Sequence, residues 1–144
     1  MTAVNQNTLA SSFVVLVILF TGIVMAASRP RSFATPEEAV KAFVDAERAD
    51  DKIALSSILG PDGQDIISSG DETRDRNMAK AFLAAYDTHW DITRKGSSVA
   101  VLNVGNDERP LPIPLLKNAA GWHFDAAAAK RDILAHGRNG GSWR

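Results

Sequence analysis

The chain has 144 residues, no cysteine and a formal net charge of −1 with a pI near 6.3. One domain fits this length, and the near-neutral charge without a basic stripe argues against a nucleic-acid partner. The absence of cysteine excludes disulfides, thiolate nucleophiles and thiolate-held zinc.

The first 28 residues differ from the rest of the chain, because all 16 basic and 17 acidic side chains follow Ser28. The uncharged run FVVLVILFTGIVMAA (residues 13–27) has the length of a signal-peptide core. Cleavage after Ala26 would place small residues where a signal peptidase reads them. These features predict a cleaved signal peptide.

Two features of the same segment favour an uncleaved membrane anchor instead. No Lys or Arg precedes the run, whereas Arg29 and Arg31 follow it. Extended back to Leu9, the run could cross a hydrocarbon layer of about 30 Å. We therefore expect residues 1–28 to be a signal peptide or membrane anchor, and the protein to be periplasmic, extracellular or anchored by a single pass.

After this segment we predict a linker over residues 29–34, an α+β domain over residues 35–136 and a disordered tail over residues 137–144. Four helices are predicted, each preceded by a side chain that can cap its first turn. The caps are Thr35, Asp50 or Asp51, Asp71 and Asp125. Apolar residues recur at helical spacing along the first three helices, so one side of each packs inward.

The segment LGPDGQDIISSGD, residues 59–71, contains three aspartates and three glycines and could be a cation site. A helical calcium loop needs oxygen ligands at alternating positions, where this segment has Ile66 and Ile67. The same residue types also end one helix, at Gly60, and cap the next, at Asp71. We therefore predict a joint between helices, with Ile66 and Ile67 as a short strand.

From His89 the apolar period changes to two, which predicts antiparallel strands. The strands are HWDITRK (residues 89–95), SVAVLNV (98–104), ERPLPIPLLKN (108–118) and WHFD (122–125). In the third, prolines at every second position remove three donors from one side, so we expect this strand to pair on its other side only.

Seven motifs carry a resemblance to a known family. In chain order they are FATPEEAVKAFVDA, LGPDG, ISSGD, FLAAYD, PIPL, GWHFD and GRN. On these motifs the chain resembles the N-terminal half of domain-of-unknown-function family 2950, a group of uncharacterised bacterial proteins. The resemblance implies an exported cell-envelope protein and brings no activity, substrate or cofactor.

Members of that family continue past the GRN motif with a helix and a β-rich half, and Ala129 stands where they commonly have glycine. The resemblance therefore implies partly bare apolar surface near Trp122, Phe124, Ile133 and Leu134, and self-association or a protein partner. The element order also resembles nuclear-transport-factor-2-like domains, in which helices pack on a curved antiparallel sheet that forms a cone.

The best catalytic or metal candidates are His89 with Asp91 and His123 with Asp125, each pair on one strand face. In a simple meander these pairs lie three strands apart, about 14 Å, too far to share one ion. We therefore interpret them as the polar faces opposite the apolar residues of the two strands. We assign no catalytic, cofactor-binding or metal residue and expect no cofactor.

The sequence thus favours a non-catalytic binding or interaction module, held at the membrane by its N-terminal segment or released from it. The alternative is a hydrolase-like enzyme that uses Asp87, His89 or His123 in a cone-shaped pocket. The two readings differ in whether the histidines converge on one cavity.

Overall fold

A computed structural model describes residues 29–136 of the chain. The helices are α1 (Pro36–Arg48), α2 (Lys52–Leu59), α3 (Gln64–Ile67), α4 (Glu72–Thr88) and α5 (Ala126–His136), with a 3₁₀ turn at Pro61–Gly63. The strands are β1 (Trp90–Lys95), β2 (Val99–Val104), β3 (Arg109–Pro110), β4 (Leu115–Asn118) and β5 (Gly121–Phe124). The predicted α+β class is therefore confirmed.

The predicted signal peptide or anchor and the predicted tail lie outside the described residues. Within residues 29–136, no helix combines the length and the apolar character that crossing a bilayer would require.

All five strands form one antiparallel sheet in the order β1, β2, β4, β5, with β3 beside the far end of β2. β1 pairs with the whole of β2, from Trp90 opposite Val104 to Lys95 opposite Val99. β2 is an internal strand, with β1 on one side and β3 and β4 on the other.

The two faces of the sheet have different environments, because successive strand residues point to opposite sides. On β2 the residues Ala100, Leu102 and Val104 are buried, whereas Val99, Val101 and Asn103 are partly exposed. The buried set faces the helices. We call the opposite side, which carries Asn103, the outer face.

Phe43 of α1 lies at the centre of the core and joins the helices to the sheet. Its ring is 5.5 Å from that of Phe82 on α4 and 5.3 Å from that of Phe124 on β5. Every buried core residue of the described range is apolar. Full burial of such side chains stabilises the fold by roughly 1.5–3 kcal/mol each, so this cluster fixes how the helices sit on the sheet.

The predicted helix caps are confirmed. Thr35 Oγ1 accepts a hydrogen bond from the Glu38 amide at 3.1 Å, and Asp51, not Asp50, caps α2. Asp71 caps α4, and Asp125 Oδ1 accepts from the Ala128 amide at 3.0 Å. Each cap satisfies amides that have no partner within the helix.

The prediction of a short strand at Ile66 and Ile67 is wrong, because both belong to α3. Pro61 begins a 3₁₀ turn that leads directly into this helix, and both isoleucines lie partly buried against the core. Two adjacent apolar residues cannot distinguish a strand from one helical turn. The segment is nevertheless the joint that the sequence predicted.

The predicted strand ERPLPIPLLKN is split into β3 and β4, with residues 111–114 outside any strand. The Leu111 amide donates to Leu102 O of β2 at 2.7 Å, so the first half keeps its donor for that side as predicted. One-sided pairing is wrong for β4, since Leu115 pairs with Ala100 of β2 and with Phe124 of β5. Pairing with β5 begins where the prolines end, because proline has no amide hydrogen to donate.

Residues 29–34, predicted as a linker, lie against the domain. The Arg31 amide donates to Ser57 O at 2.9 Å. Phe33 and Trp122 exchange backbone hydrogen bonds of 2.7 and 2.8 Å, and both side chains are buried.

The expectation of bare apolar surface holds for α5 only. Trp122 and Phe124 are buried in the core, and Phe43 packs on Phe124, so that part of the prediction is wrong. Leu134 is 77% exposed and Ile133 37% exposed.

Candidate functional site

His89 and Asp91 lie where the chain passes from the end of α4 into β1. His89 is the C-cap residue of α4, and its amide donates to Ala85 O at 3.1 Å. Its own carbonyl accepts from the Gly105 amide at 2.9 Å, which places it beside the end of β2. Asp91 pairs with Asn103 and so lies on the outer face, and His89, two residues away, is on the same side.

Glu108 reaches the same corner from the turn between β2 and β3. The Glu108 amide donates to Gly105 O at 3.0 Å, and Val104 pairs with Arg109. Glu108 therefore lies next to Gly105. The Gly105 amide in turn binds the His89 carbonyl, so Glu108 and His89 lie at the same end of β2. Ligand atoms of His89, Asp91 and Glu108 all lie within 4.8 Å of one another. We call these three residues the corner cluster.

The Asp91 carboxylate has one engaged oxygen and one isolated oxygen. Oδ2 accepts from Asn103 Nδ2 at 3.1 Å and from the Thr93 hydroxyl at 3.4 Å. Oδ1 is shielded from solvent and has no hydrogen-bond partner. Burying a carboxylate oxygen without a hydrogen-bond donor raises the free energy of the folded state, so a donor or a cation at Oδ1 would stabilise the fold.

The second predicted pair, His123 and Asp125, lies at the other end of the sheet. His123 Nδ1 is 3.4 Å from Asn118 Nδ2 on the neighbouring strand. Asp125 follows β5 and is committed as the cap of α5. A cleft of about 290 Å³ opens beside them, between Pro30, Leu59 and the start of α5.

The structure keeps the two pairs apart, as predicted, because β1 and β5 are the two ends of the strand order. His123 lines the cleft and His89 does not. The described residues therefore do not form one cavity shared by His89 and His123, the arrangement that would have favoured the enzyme hypothesis.

Asp87, the remaining candidate, and the aromatic side chains near it have structural partners. Arg48 donates to both oxygens of Asp87 and lowers the pKa of that carboxyl below its ordinary value. Tyr86 and Trp90 stack at 5.3 Å. Trp90 is 41% exposed and lies on the edge strand β1. Trp122 is part of the core.

The joint at residues 59–71 is occupied by structural contacts. Gly60 closes α2 with φ of 74°, a conformation that glycine adopts without strain. Asp65 pairs with Lys130 of α5 at 2.6 Å, so it ties the joint to the last helix. Asp71 caps α4 and Asp65 forms this ion pair, so two of the three aspartates have structural partners.

Sequence reasoning identified His89 and Asp91 as candidates but missed Glu108. The segment GNDER, residues 105–109, is typical of a turn, and nothing in it indicates a site. Glu108 joins the cluster only through the register of β1, β2 and β3, which is a property of the whole sheet.

Comparison with known proteins gives one match. The family described as Protein of unknown function (DUF2950) matches residues 30–141, which confirms the resemblance carried by the seven motifs. No curated protein and no solved structure matches the chain. The likeness to nuclear-transport-factor-2-like domains therefore stays a prediction. The match spans most of the chain, and the protein belongs to the DUF2950 family.

Proposed function

We propose that this protein is a non-catalytic binding module of the cell envelope that associates through its last helix. The observation that supports a binding role over catalysis is the separation of the two histidine-carboxylate pairs at opposite ends of the sheet. The uncharged N-terminal segment supports an envelope location.

The surface we assign to association is the end of α5. Ile133 and Leu134 are exposed there, next to Arg131 and Asp132. Two such helices in antiparallel contact would bury the apolar pairs of both copies, so a second copy of the chain is the partner that we propose for this surface.

Sedimentation velocity over a wide concentration range tests this proposal on a chain that begins at Ala27. The weight-average mass should rise with concentration for the unmodified chain. Leu134→Asp should weaken association at least about tenfold, because losing a buried apolar anchor costs about 1.4 kcal/mol or more. Leu134 is exposed in the monomer, so circular dichroism should show the same folded state for both chains.

Ile53→Asp is the matched control, because Ile53 is an equally exposed apolar residue on a different helix. It should associate like the unmodified chain. A monomer at every concentration would refute the proposal, and equal losses in the two variants would show nonspecific apolar association.

The cleft beside His123 favours one alternative, a hydrolase-like activity at that site. The cleft brings His123 near Asp62 and Asp125. If this alternative holds, hydrolysis of small ester or phosphate substrates should disappear in His123→Ala and persist in His89→Ala. Equal background rates in both variants and the unmodified chain would leave the binding module as the better account.

A further inference from the structure

The corner cluster has the composition of a cation site. It combines one imidazole with two carboxylates, drawn from the end of α4, from β1 and from the turn before β3. Two chain segments, residues 89–91 and the turn that holds Glu108, thus place three ligand groups for a divalent metal at one corner of the sheet. From these residues we propose that His89, Asp91 and Glu108 bind a divalent transition-metal cation such as Zn²⁺.

The isolated oxygen of Asp91 is the second observation behind this site. Asn103 and Thr93 fix the carboxylate through Oδ2, while Oδ1 is buried without a donor. A bound cation would satisfy the carboxylate that the fold leaves half-paired, and the Asn103 and Thr93 contacts would orient it as outer-shell partners do at metal sites.

The side chains of the other two proposed ligands, His89 and Glu108, can move to coordinate an ion. Within residues 29–136, neither the His89 ring nor the Glu108 carboxylate makes a hydrogen bond or ion pair, and both side chains are exposed. The 4.8 Å limit on ligand separations exceeds the about 3.4 Å expected around a tetrahedral zinc. Rotation of these two exposed side chains can close the difference without moving the sheet.

The ligand types favour a particular class of cation. Calcium and magnesium prefer oxygen ligands throughout, whereas an imidazole nitrogen suits zinc and its first-row neighbours. Three protein ligands leave room for water at the ion. The corner cluster should therefore bind Zn²⁺ more tightly than Ca²⁺.

Calorimetric titration of the full 144-residue chain with zinc chloride, in chelator-free buffer, tests the site. Binding should be saturable with one ion per chain, and the same titration with calcium chloride should give at least about tenfold weaker binding. Mn²⁺ should broaden the amide resonances of residues 89–91 and 105–108, which locates the ion.

Glu108→Gly separates loss of the ligand from loss of the fold. Glu108 has φ of 50°, which glycine adopts freely, so the variant should be at least as stable to heat as the unmodified chain. Its zinc affinity should fall at least about tenfold, as should that of His89→Ala.

Asp107→Asn is the matched control, because it removes a neighbouring carboxylate that pairs with Arg109 and lies outside the cluster. Its zinc affinity should change less than about fivefold, the effect of one exposed charge. Unsaturable binding, equal losses in Asp107→Asn and Glu108→Gly, or broadening centred elsewhere would each overturn the proposal.

Discussion

At the scale of single residues, Gly121 shows how one missing side chain permits the contact between residues 29–34 and the sheet. A Cβ atom built on Gly121 would lie 2.4 Å from Phe33 O, and the backbone there has φ of 124°. Phe33 O accepts the Trp122 amide, so the clash falls on a backbone group that is already held. Glycine is the residue that fits this approach.

Gly121→Ala should therefore destabilise the domain by about 2–3 kcal/mol, the sum of an unfavourable φ and a backbone clash. Gly96→Ala is the control: Gly96 also has positive φ, but no atom lies within 4 Å of its built Cβ. That change should cost only about 1 kcal/mol. Urea denaturation of both variants measures the difference, and equal costs would show that the Phe33 contact does not constrain Gly121.

Glu47 is a second residue with a measurable consequence. Burial against the core raises the pKa of its carboxyl above the ordinary value of 4.5, Lys52 opposes the shift, and Asp50 adds to it. The folded state therefore binds more protons than the unfolded chain as the pH rises above 4.5. The free energy of unfolding falls through that range and remains lower at neutral pH.

Glu47→Gln removes the ionisation, so the variant should be more stable than the unmodified chain at pH 7 and lose less stability as the pH rises from 4.5. Glu72→Gln is the control, because Glu72 is exposed and pairs with Arg76 on its own helix. Denaturation midpoints of both variants and the unmodified chain, measured across this pH range, test the prediction. A lower midpoint for Glu47→Gln at pH 7 would contradict the assigned cost of burial.

At the scale of elements, sequence alone predicted those features that depend on neighbours in the chain. Asp71 and Asp125 predict the starts of α4 and α5, because a capping residue lies only a few residues from the amides that it binds. The division of ERPLPIPLLKN was not predictable, because its second half pairs with β5 only after the prolines end. The cluster partner Glu108 was missed for the same reason: its position depends on the pairing of three strands.

The proline segment yields a prediction at this scale. Ile113 is buried on the helix side of the sheet, whereas Pro112 is exposed. Ile113→Asp should cost about 3 kcal/mol or more, because it buries a charge without a partner. Pro112→Thr should cost about 1 kcal/mol or less, since the position faces solvent. Thermal unfolding compares them, and an equal or larger loss for Pro112→Thr would refute this account of the segment.

At the scale of the whole molecule, the proposed envelope location depends on the N-terminal segment. If residues 1–26 are removed on export, mass spectrometry of the protein from its native envelope should find a chain that begins at or near Ala27. An intact Met1 in the membrane fraction would identify an anchor instead. A soluble cytoplasmic chain with Met1 would contradict the envelope location itself.

The claim that most constrains function is the separation of His89 from His123, and the chain offers a direct way to measure it. It has no native cysteine, so His89→Cys with His123→Cys creates two unique sites for nitroxide labels. Across the sheet, His89 is opposite Gly105, which follows the last residue of β2. His123 is opposite Leu116, which pairs with Val99, the first residue of β2. These positions are about 14 Å apart across the sheet and about 20 Å along it, about 25 Å in all.

Pulsed electron paramagnetic resonance on this doubly labelled chain should give a distance distribution centred at about 20–30 Å. That result would keep the two histidine-carboxylate pairs at separate sites, as the binding-module account requires. Strong dipolar broadening of the continuous-wave spectrum, without a pulsed signal in that range, would place both side chains around one small ligand and contradict the account.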